Sequence, residues 1–383
     1  MRSAERPVRI FVTDARLDRF PVYAAAVRAR QAVSPTIWLV TGDPFIDNPL
    51  KILSDGDAQV TLLNRAGVDA VVLTPGWLSF GLTRLSKMVS KGRFYALSAS
   101  LLDASGQTIG HPFMVRKSGS AILGVTGLAL DSTNVLSHLA GVQYSAPGLA
   151  ARKAITLMRQ RADLVGAMVE PRSPDPGWHA DFTVNSSASG EFAMTPSVDT
   201  GRINCYDVSA DVSRLTAKTT DLSQFEPDTS VARLLDSLRT AAEALTARSI
   251  PLPRGPWDAG RLTSTLIQGV LAAGLADGFL CDSLFVVDFA EPKDVGALIS
   301  LLRDPGRPAI LTVQGSALAG WPREVVFRSG LTRAKLSGFL TYRIATTVDY
   351  LQRHPELARA GFELASRPFW TMCLDILESG RVK

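Results

Sequence analysis

Short apolar runs rich in β-branched residues alternate with segments of helical periodicity over the first half of the chain. The runs are too short to be buried helices, and helical segments such as Val22–Gln31 and Gly81–Val89 separate them. Strands and helices that alternate in this way form a sheet covered by helices. The pattern predicts an α/β layered domain, with strands at Arg9–Val12, Thr36–Val40, Ala70–Leu73, Arg93–Leu97, Ala121–Thr126 and Leu164–Met168.

The pattern changes near residue 230. Ala232–Ala247 carries apolar residues at helical spacing and predicts one amphipathic helix, and the proline-rich segment Pro251–Pro256 predicts a stiff connector. A second region of helices and strands fills Leu262–Lys383. Because 383 residues are many for one hydrophobic core, we expect two domains. The predicted limits are 1–215 for the first domain, 216–256 for a linker with a connecting helix, and 257–383 for the second domain.

Charge and cysteine usage exclude several functions. Lys and Arg are scattered and the formal net charge is only +5, so we expect no nucleic-acid partner. Cys205, Cys281 and Cys373 are far apart and form no C-x-x-C pair, which favours buried reduced thiols. No apolar stretch is long enough to span a bilayer, and no secretory signal is visible. We expect a soluble chain without membrane insertion, and the compartment stays open.

Four segments, in fixed order and spacing, resemble motifs of one enzyme family. Leu63–Ala70 resembles "M-N-x-x-G-Y-D-A" and is followed by Gly81–Leu85 at the same spacing. Phe94–Ser100 is similar to "F-P-x-L-S-A-N", and Ala121–Leu128 to "K-V-G-V-I-G-L". Together they resemble the 5′-nucleotidase family, in which a calcineurin-like phosphoesterase domain precedes a nucleotidase C-terminal domain. Fainter similarity continues through Leu262–Asp277 and Ala309–Leu318.

The resemblance implies a fold and a chemistry. The expected fold is α/β: a four-layer calcineurin-like metallophosphoesterase sandwich, followed by a smaller α/β C-terminal domain of the 5′-nucleotidase type. The family's reaction uses two divalent metals that activate a water and bind the attacking and leaving oxygens. At its ligand positions this chain keeps Asp14 and Asp43. The other positions have changed to Arg16, Pro75, Gly76, Glu170, Ser187 and Ser189.

Those replacements disfavour a metal site. Proline and glycine offer no side-chain donor, and a serine hydroxyl is a poor substitute for imidazole. Arg16 places a permanent cation where a metal would lie, so we predict that it pairs with Asp14 and Asp43 instead. The nucleoside-reading turn "N-G-G-x-R" falls on Phe285–Phe289, which has neither the glycine pair nor the arginine. We therefore expect no metal cofactor and no conserved set of catalytic groups.

Three hypotheses follow for function. The leading one is a pseudoenzyme, which is not an enzyme but a structural or interaction subunit that works with other protein subunits in a larger assembly. A second is a module that binds a nucleotide or phosphate without hydrolysing it, with Arg16 and Arg343 as anion contacts. A third is a phosphohydrolase with a rearranged site on Asp14, Asp43 and Glu170.

The leading hypothesis also predicts where side chains lie. Trp77 and Leu78 occupy the positions that follow the lost ligands, and we expect them to fill the former cleft. A partner-binding face is expected on the C-terminal domain, where aromatic residues are frequent: Trp321, Phe327, Phe339, Phe369 and Trp370.

Overall fold

The computed structural model describes residues 8–14, 17–41, 49–119, 121–129, 135, 138–169, 180–185, 202–208, 216–252, 256–282, 284, 289–318, 320–321, 325–328 and 331–379. The chain divides into two compact units. Unit 1 comprises residues 1–78, 82–132 and 141–238, and unit 2 comprises residues 79–81, 133–140 and 239–383. The division falls inside helix α7 (Thr229–Thr246). The limits inferred from the sequence stay a prediction.

The first sheet of unit 1 contains the predicted N-terminal strands. Its order is β12-β11-β1-β2-β3-β4, and β1 to β4 run parallel while β11 is antiparallel to β1. Short apolar runs form its centre because both of its faces are covered, and the burial of every residue of β2 reflects this. The strands are β1 (Val8–Thr13), β2 (Thr36–Val40), β3 (Ala70–Val72), β4 (Tyr95–Leu97), β11 (Arg202–Val208) and β12 (Thr216–Asp221).

A second sheet packs face to face on the first. Its order is β10-β9-β7-β6, and β7, β9 and β10 are parallel. Alternate residues of the two sheets, such as Ile37 and Leu39 on one and Leu123 and Val125 on the other, share one buried cluster. The strands are β6 (Phe113–Ser118), β7 (Ala121–Leu128), β9 (Leu164–Val169) and β10 (Phe182–Asn185), and a small hairpin adds β5 (Leu101–Asp103) and β8 (Val142–Tyr144).

Helices cover both outer faces of the two sheets. On the first sheet, α1 contacts β2 and α3, and α3 contacts α5. On the second sheet, α6 contacts β7 and β9 and buries an alanine-rich face against them. The layers are therefore helix, sheet, sheet and helix, which confirms the predicted four-layer α/β sandwich. The helices are α1 (Phe20–Gln31), α2 (Pro49–Ser54), α3 (Asp57–Ala66), α4 (Pro75–Leu78), α5 (Leu82–Lys91) and α6 (Pro147–Arg159).

Unit 2 is a smaller α/β layer structure, as predicted. Its sheet has the order β15-β13-β16-β14-β17, and Asp258, Asp294 and Thr347 cap three of its helices through side-chain oxygens. Its elements are α8 (Ala259–Ala272), β13 (Gly278–Leu280), α9 (Val295–Leu301), β14 (Ala309–Gln314), α10 (Gly315–Leu318), β15 (Val325–Phe327), β16 (Thr341–Thr346), α11 (Val348–Arg353), α12 (Pro355–Ala358), β17 (Phe362–Leu364) and α13 (Phe369–Glu378).

The aromatic residues of unit 2 do not form the single face that the sequence predicted. Phe369 and Trp370 are buried, and the Phe369 ring stacks on Phe279 with 5.7 Å between centroids. Trp321 and Phe327 are half-buried, and only Phe339 of the five is fully exposed. The expectation of a five-residue aromatic face is therefore wrong, because packing of α13 on the sheet uses two of its members. Within the described ranges, no helix combines the length and apolarity needed to cross a bilayer.

Candidate functional site

The carboxyl ends of β1, β2 and β3 meet at one edge of the first sheet, because the three strands are parallel. Ligand sites in such sheets lie at this edge. Asp14 follows β1, Thr41 follows β2, and α4 begins directly after β3. The Thr41 amide donates to the Thr13 carbonyl at 2.9 Å, which continues the pairing of β1 and β2 to the edge. Asp14, which the sequence predicted as a site residue, therefore lies at the edge of the sheet where ligand sites are found.

Asp14 is held by a tyrosine that the sequence motifs did not indicate. The Tyr23 hydroxyl on α1 donates to Asp14 Oδ1 at 3.0 Å, and the Tyr23 side chain is buried. Burial, and then the adjacent Asp14 carboxylate, raise the pKa of Tyr23 above its ordinary value. The phenol therefore stays protonated and remains a donor that fixes the orientation of the carboxylate. Only the packing of α1 on β1 and β2 brings the two residues together, so no motif could have indicated the pair.

An indole supports the same edge from inside the sheet. Trp38 Nε1 donates to Thr13 Oγ1 at 3.0 Å, and the Trp38 ring packs against Phe20 with 5.7 Å between centroids. The end of β1, from which Asp14 follows, is therefore supported by closely packed aromatic rings.

The segment after β3 provides packing rather than donors. Pro75 and Gly76 begin α4, and the following Trp77 and Leu78 are 2% and 1% exposed. Both side chains are therefore buried, as expected for residues that fill space. Trp77 Nε1 is buried and has no hydrogen-bond partner among the residues that the structure describes, which is uncommon for an indole N–H.

Several predicted positions lie outside the described residues. These are Arg16, Asp43, Glu170, Ser187 and Ser189. The pairing of Arg16 with Asp14 and Asp43 therefore stays a prediction. What the structure brings to one edge is Asp14 together with Pro75 and Gly76.

The described residues do not fit a two-metal centre. Of the described positions that match the family's ligand motifs, only Asp14 offers a donor atom, since Pro75 and Gly76 have none. In the part of the chain that the structure describes, no group of three His, Cys, Asp or Glu side chains is placed to hold a metal ion.

The "L-S-A-S" segment, which resembles a family motif, has a structural role here. Ser98 and Ser100 are completely buried. Ser100 Oγ accepts from the Ala129 amide and donates to the Ala129 carbonyl, both at 3.0 Å, and Ser98 Oγ accepts from the Leu101 amide at 3.2 Å. Ser100 thus ties the chain after β4 to the residue that follows β7, and Ser98 holds the turn that leads into β5.

Unit 2 carries a charged cluster where β13 ends and α11 begins. Arg353 forms ion pairs with Asp282 and with Asp349, the latter at 3.0 Å, and Arg303 lies 3.4 Å from Asp349. Hydrogen bonding to Asp282 is the main cause that raises the pKa of Arg353 further. Arg343, the predicted anion contact, is on the exposed part of β16, and its backbone amide donates to Asp277 at 2.9 Å. The structure therefore does not bring Arg343 into this cluster.

Several solved structures resemble the fold of this chain, although their sequences differ widely from it. No family model and no curated protein matches the sequence. Among solved structures, a 5′-nucleotidase precursor from Thermus thermophilus is 14% identical with a TM-score of 0.55, and the match covers 97% of this chain and 96% of that one. A putative 5′-nucleotidase from Staphylococcus aureus is 13% identical with a TM-score of 0.59 and 98% coverage of both chains. The NAD nucleotidase of Haemophilus influenzae is 10% identical with a TM-score of 0.58, and the match covers 97% of this chain and 96% of that one.

These likenesses establish the fold of the chain. It has the two-domain architecture of 5′-nucleotidases, with a metallophosphoesterase-like domain followed by a C-terminal domain, and the resemblance found in the sequence is confirmed at that level. The prediction that the chain is not an enzyme is wrong. It inferred inactivity from lost motifs alone, whereas the structures that match nearly its whole length are nucleotidases, and no described residue gives positive support for lost activity.

Proposed function

We propose that this chain hydrolyses phosphoric esters of nucleotide type at a rearranged site on the carboxyl edge of β1, β2 and β3. The observation that carries the proposal is Asp14, held by Tyr23 at 3.0 Å at the end of β1 in a nucleotidase fold. Asp43 and Glu170, the other acids that the sequence assigns to this site, are proposed members of it. The proposal supersedes the pseudoenzyme hypothesis.

Asp14 is the proposed base. In hydrolysis a water oxygen forms a bond to phosphorus, the ester P–O bond breaks, and a base accepts the proton that the water loses. Asp14 is suited to this role because one of its oxygens is fixed by Tyr23. Arg16, two residues on, is the proposed phosphate contact, since guanidinium matches phosphate oxygens in geometry and charge.

A hydrolysis panel tests the proposal. The purified chain would be incubated with AMP, NAD, p-nitrophenyl phosphate and bis-p-nitrophenyl phosphate, with and without added divalent metals, and phosphate or nitrophenol release would be measured. Asp14→Asn is the test variant. Glu243→Gln is the matched control, since Glu243 is an exposed carboxylate of α7 far in sequence from the site.

Two outcomes separate the hypotheses. The proposal is supported if the wild type turns over a compound of the panel, Asp14→Asn loses this turnover and Glu243→Gln retains it. Binding of AMP in calorimetry without turnover of any compound in the panel would overturn hydrolysis and favour a nucleotide-binding module. The expectation of partner subunits stays a prediction, which the mass of the native protein by light scattering checks.

A further inference from the structure

The turn that precedes β16 exposes two adjacent apolar side chains. Phe339 is 98% exposed and Leu340 is 59% exposed. Single exposed apolar residues are common on protein surfaces, but an aromatic ring with almost no intramolecular contact, next to an exposed leucine, is not. Covering these two side chains with an apolar environment would lower the free energy of the system, because it removes apolar surface from water.

The backbone of this turn is fixed. The Gly315 amide donates to the Leu340 carbonyl, and the Ser337 amide donates to the Tyr342 hydroxyl, both at 2.8 Å. Gly315 is required here, because a Cβ at that position would lie 2.0 Å from the Ser337 carbonyl oxygen. The exposure of Phe339 therefore belongs to a held conformation rather than to a frayed end.

The turn lies in a cationic segment. From Val325 to Val348 the chain contains no Asp or Glu, but it contains Arg333, Lys335 and Arg343, together with Arg328, which pairs with Asp277 at 3.1 Å. Lys335 and Arg343, on either side of Phe339 in the chain, are exposed. A surface that contacts this segment is therefore favoured if it is anionic.

We propose that the Phe339–Leu340 turn is a contact site for an anionic lipid surface. A stable protein interface needs a broad patch with an apolar centre, whereas the exposed apolar side chains described in this turn are the two between Gly338 and Thr341. A bilayer interface accepts a small apolar tip and attracts nearby cations. No spanning helix is involved, so the proposal revises the expectation of no membrane insertion only for this tip.

The turn is separate from the chemistry proposed above. Phe339 and Leu340 belong to unit 2, whereas Asp14 and Tyr23 belong to unit 1. No residue of the turn is a proposed member of the hydrolytic site. Lipid contact and ester hydrolysis can therefore succeed or fail independently.

Co-sedimentation of the full chain with vesicles tests the proposal. The probes are vesicles of phosphatidylcholine alone and vesicles that also contain phosphatidylglycerol, each at low and high salt. The test variant is Phe339→Ser, which has almost no packing to lose. The matched control is Leu149→Ser, another exposed apolar residue (66%) that lies on α6. Circular dichroism would verify that both variants are folded.

We expect the wild type to bind the phosphatidylglycerol vesicles at low salt and to dissociate as salt screens the cations. Phe339→Ser should lower the partition coefficient about tenfold or more, and Leu149→Ser should leave it unchanged. Absence of wild-type binding, or equal binding by Phe339→Ser, would refute the proposal. An oligomer in solution that Phe339→Ser converts to monomer would assign the turn to protein contact and would also overturn it.

Discussion

The two edges of the first sheet in unit 1 differ in what their aspartate side chains hold. At the amino edge, Asp69 precedes β3, accepts from the Trp38 amide at 2.8 Å, and forms an ion pair with Arg116 of the second sheet. At the carboxyl edge, the Asp14 carboxylate is held by the Tyr23 hydroxyl. The aspartate of the first edge ties two strands and two sheets together. The aspartate of the second edge contacts a helix and lies beyond the end of its strand.

The "N-R-A-G-V-D-A" segment that resembles the family most clearly is architectural. Gly67 ends α3 with a φ of 84°, in the left-handed region that favours glycine, and Asn64 accepts from the Arg93 amide at 2.6 Å. Asp69 adds the contacts at the amino edge. Motif similarity over these residues therefore reports the fold and carries no information about chemistry at the other edge.

The largest expected effect is on activity at the carboxyl edge. Asp14→Asn should lower kcat/KM for the best ester about a hundredfold or more, since it removes the proposed base. The temperature of thermal unfolding should change little, because the side-chain oxygen of the asparagine still accepts a hydrogen bond from the Tyr23 hydroxyl. If Asp14→Asn fails to fold, or hydrolyses the ester at an unchanged rate, the carboxyl edge does not serve chemistry while the amino edge serves stability, and the comparison is contradicted.

Substitution of Asp69 at the amino edge should lower stability and leave activity unchanged. Asp69→Ala leaves the Trp38 amide unpaired in the interior and should lower the free energy of unfolding by about 1–3 kcal/mol, measured by urea titration. Asp69→Asn keeps an acceptor and should cost much less. Activity per folded molecule should be unchanged in both variants, and a specific loss of activity would break the comparison.

The pH dependence of stability follows from the same residue. Burial raises the pKa of Asp69 despite the hydrogen bonds that stabilise its charged form. The folded protein then holds this proton more tightly than the unfolded chain does. The contribution of Asp69 is present below the ordinary aspartate pKa and is lost as pH rises through the raised folded value. Asp69→Asn should remove this acidic component from the curve of unfolding free energy against pH.

A smaller effect is expected from Tyr23→Phe. The variant removes one hydrogen bond to Asp14 and should cost about 0.5–1.5 kcal/mol of unfolding free energy. The rate should also fall, by less than for Asp14→Asn, because the carboxylate remains but is less well oriented. An unaffected rate together with lost stability would assign Tyr23 a structural role only.

The smallest effect is expected from Arg116→Ala. The arginine side chain is 48% exposed, so its ion pair with Asp69 is screened by solvent and should contribute only about 0–1 kcal/mol. A loss as large as that of Asp69→Ala would show that the ion pair, and not the bond to the Trp38 amide, holds the amino edge.

The sequence by itself determined the α/β character of both units, whereas the four-layer order of unit 1 was expected from the resemblance to 5′-nucleotidases. Strand runs such as Thr36–Val40 are buried on both faces, and helical segments such as Phe20–Gln31 pack against them. These features are local, because period and apolarity are properties of a few consecutive residues. The position of Asp14 at a strand end was accessible for the same reason.

Only the tertiary structure decided which groups meet. Tyr23 reaches Asp14, Arg116 reaches Asp69, and the ring of Phe182 occupies the space above Gly166, because packing places side chains from separate elements together. Burial of Phe369 and exposure of Phe339 were likewise fixed by where α13 and one turn lie on the sheet of unit 2. Composition cannot distinguish two phenylalanines, since burial depends on contacts between residues distant in sequence.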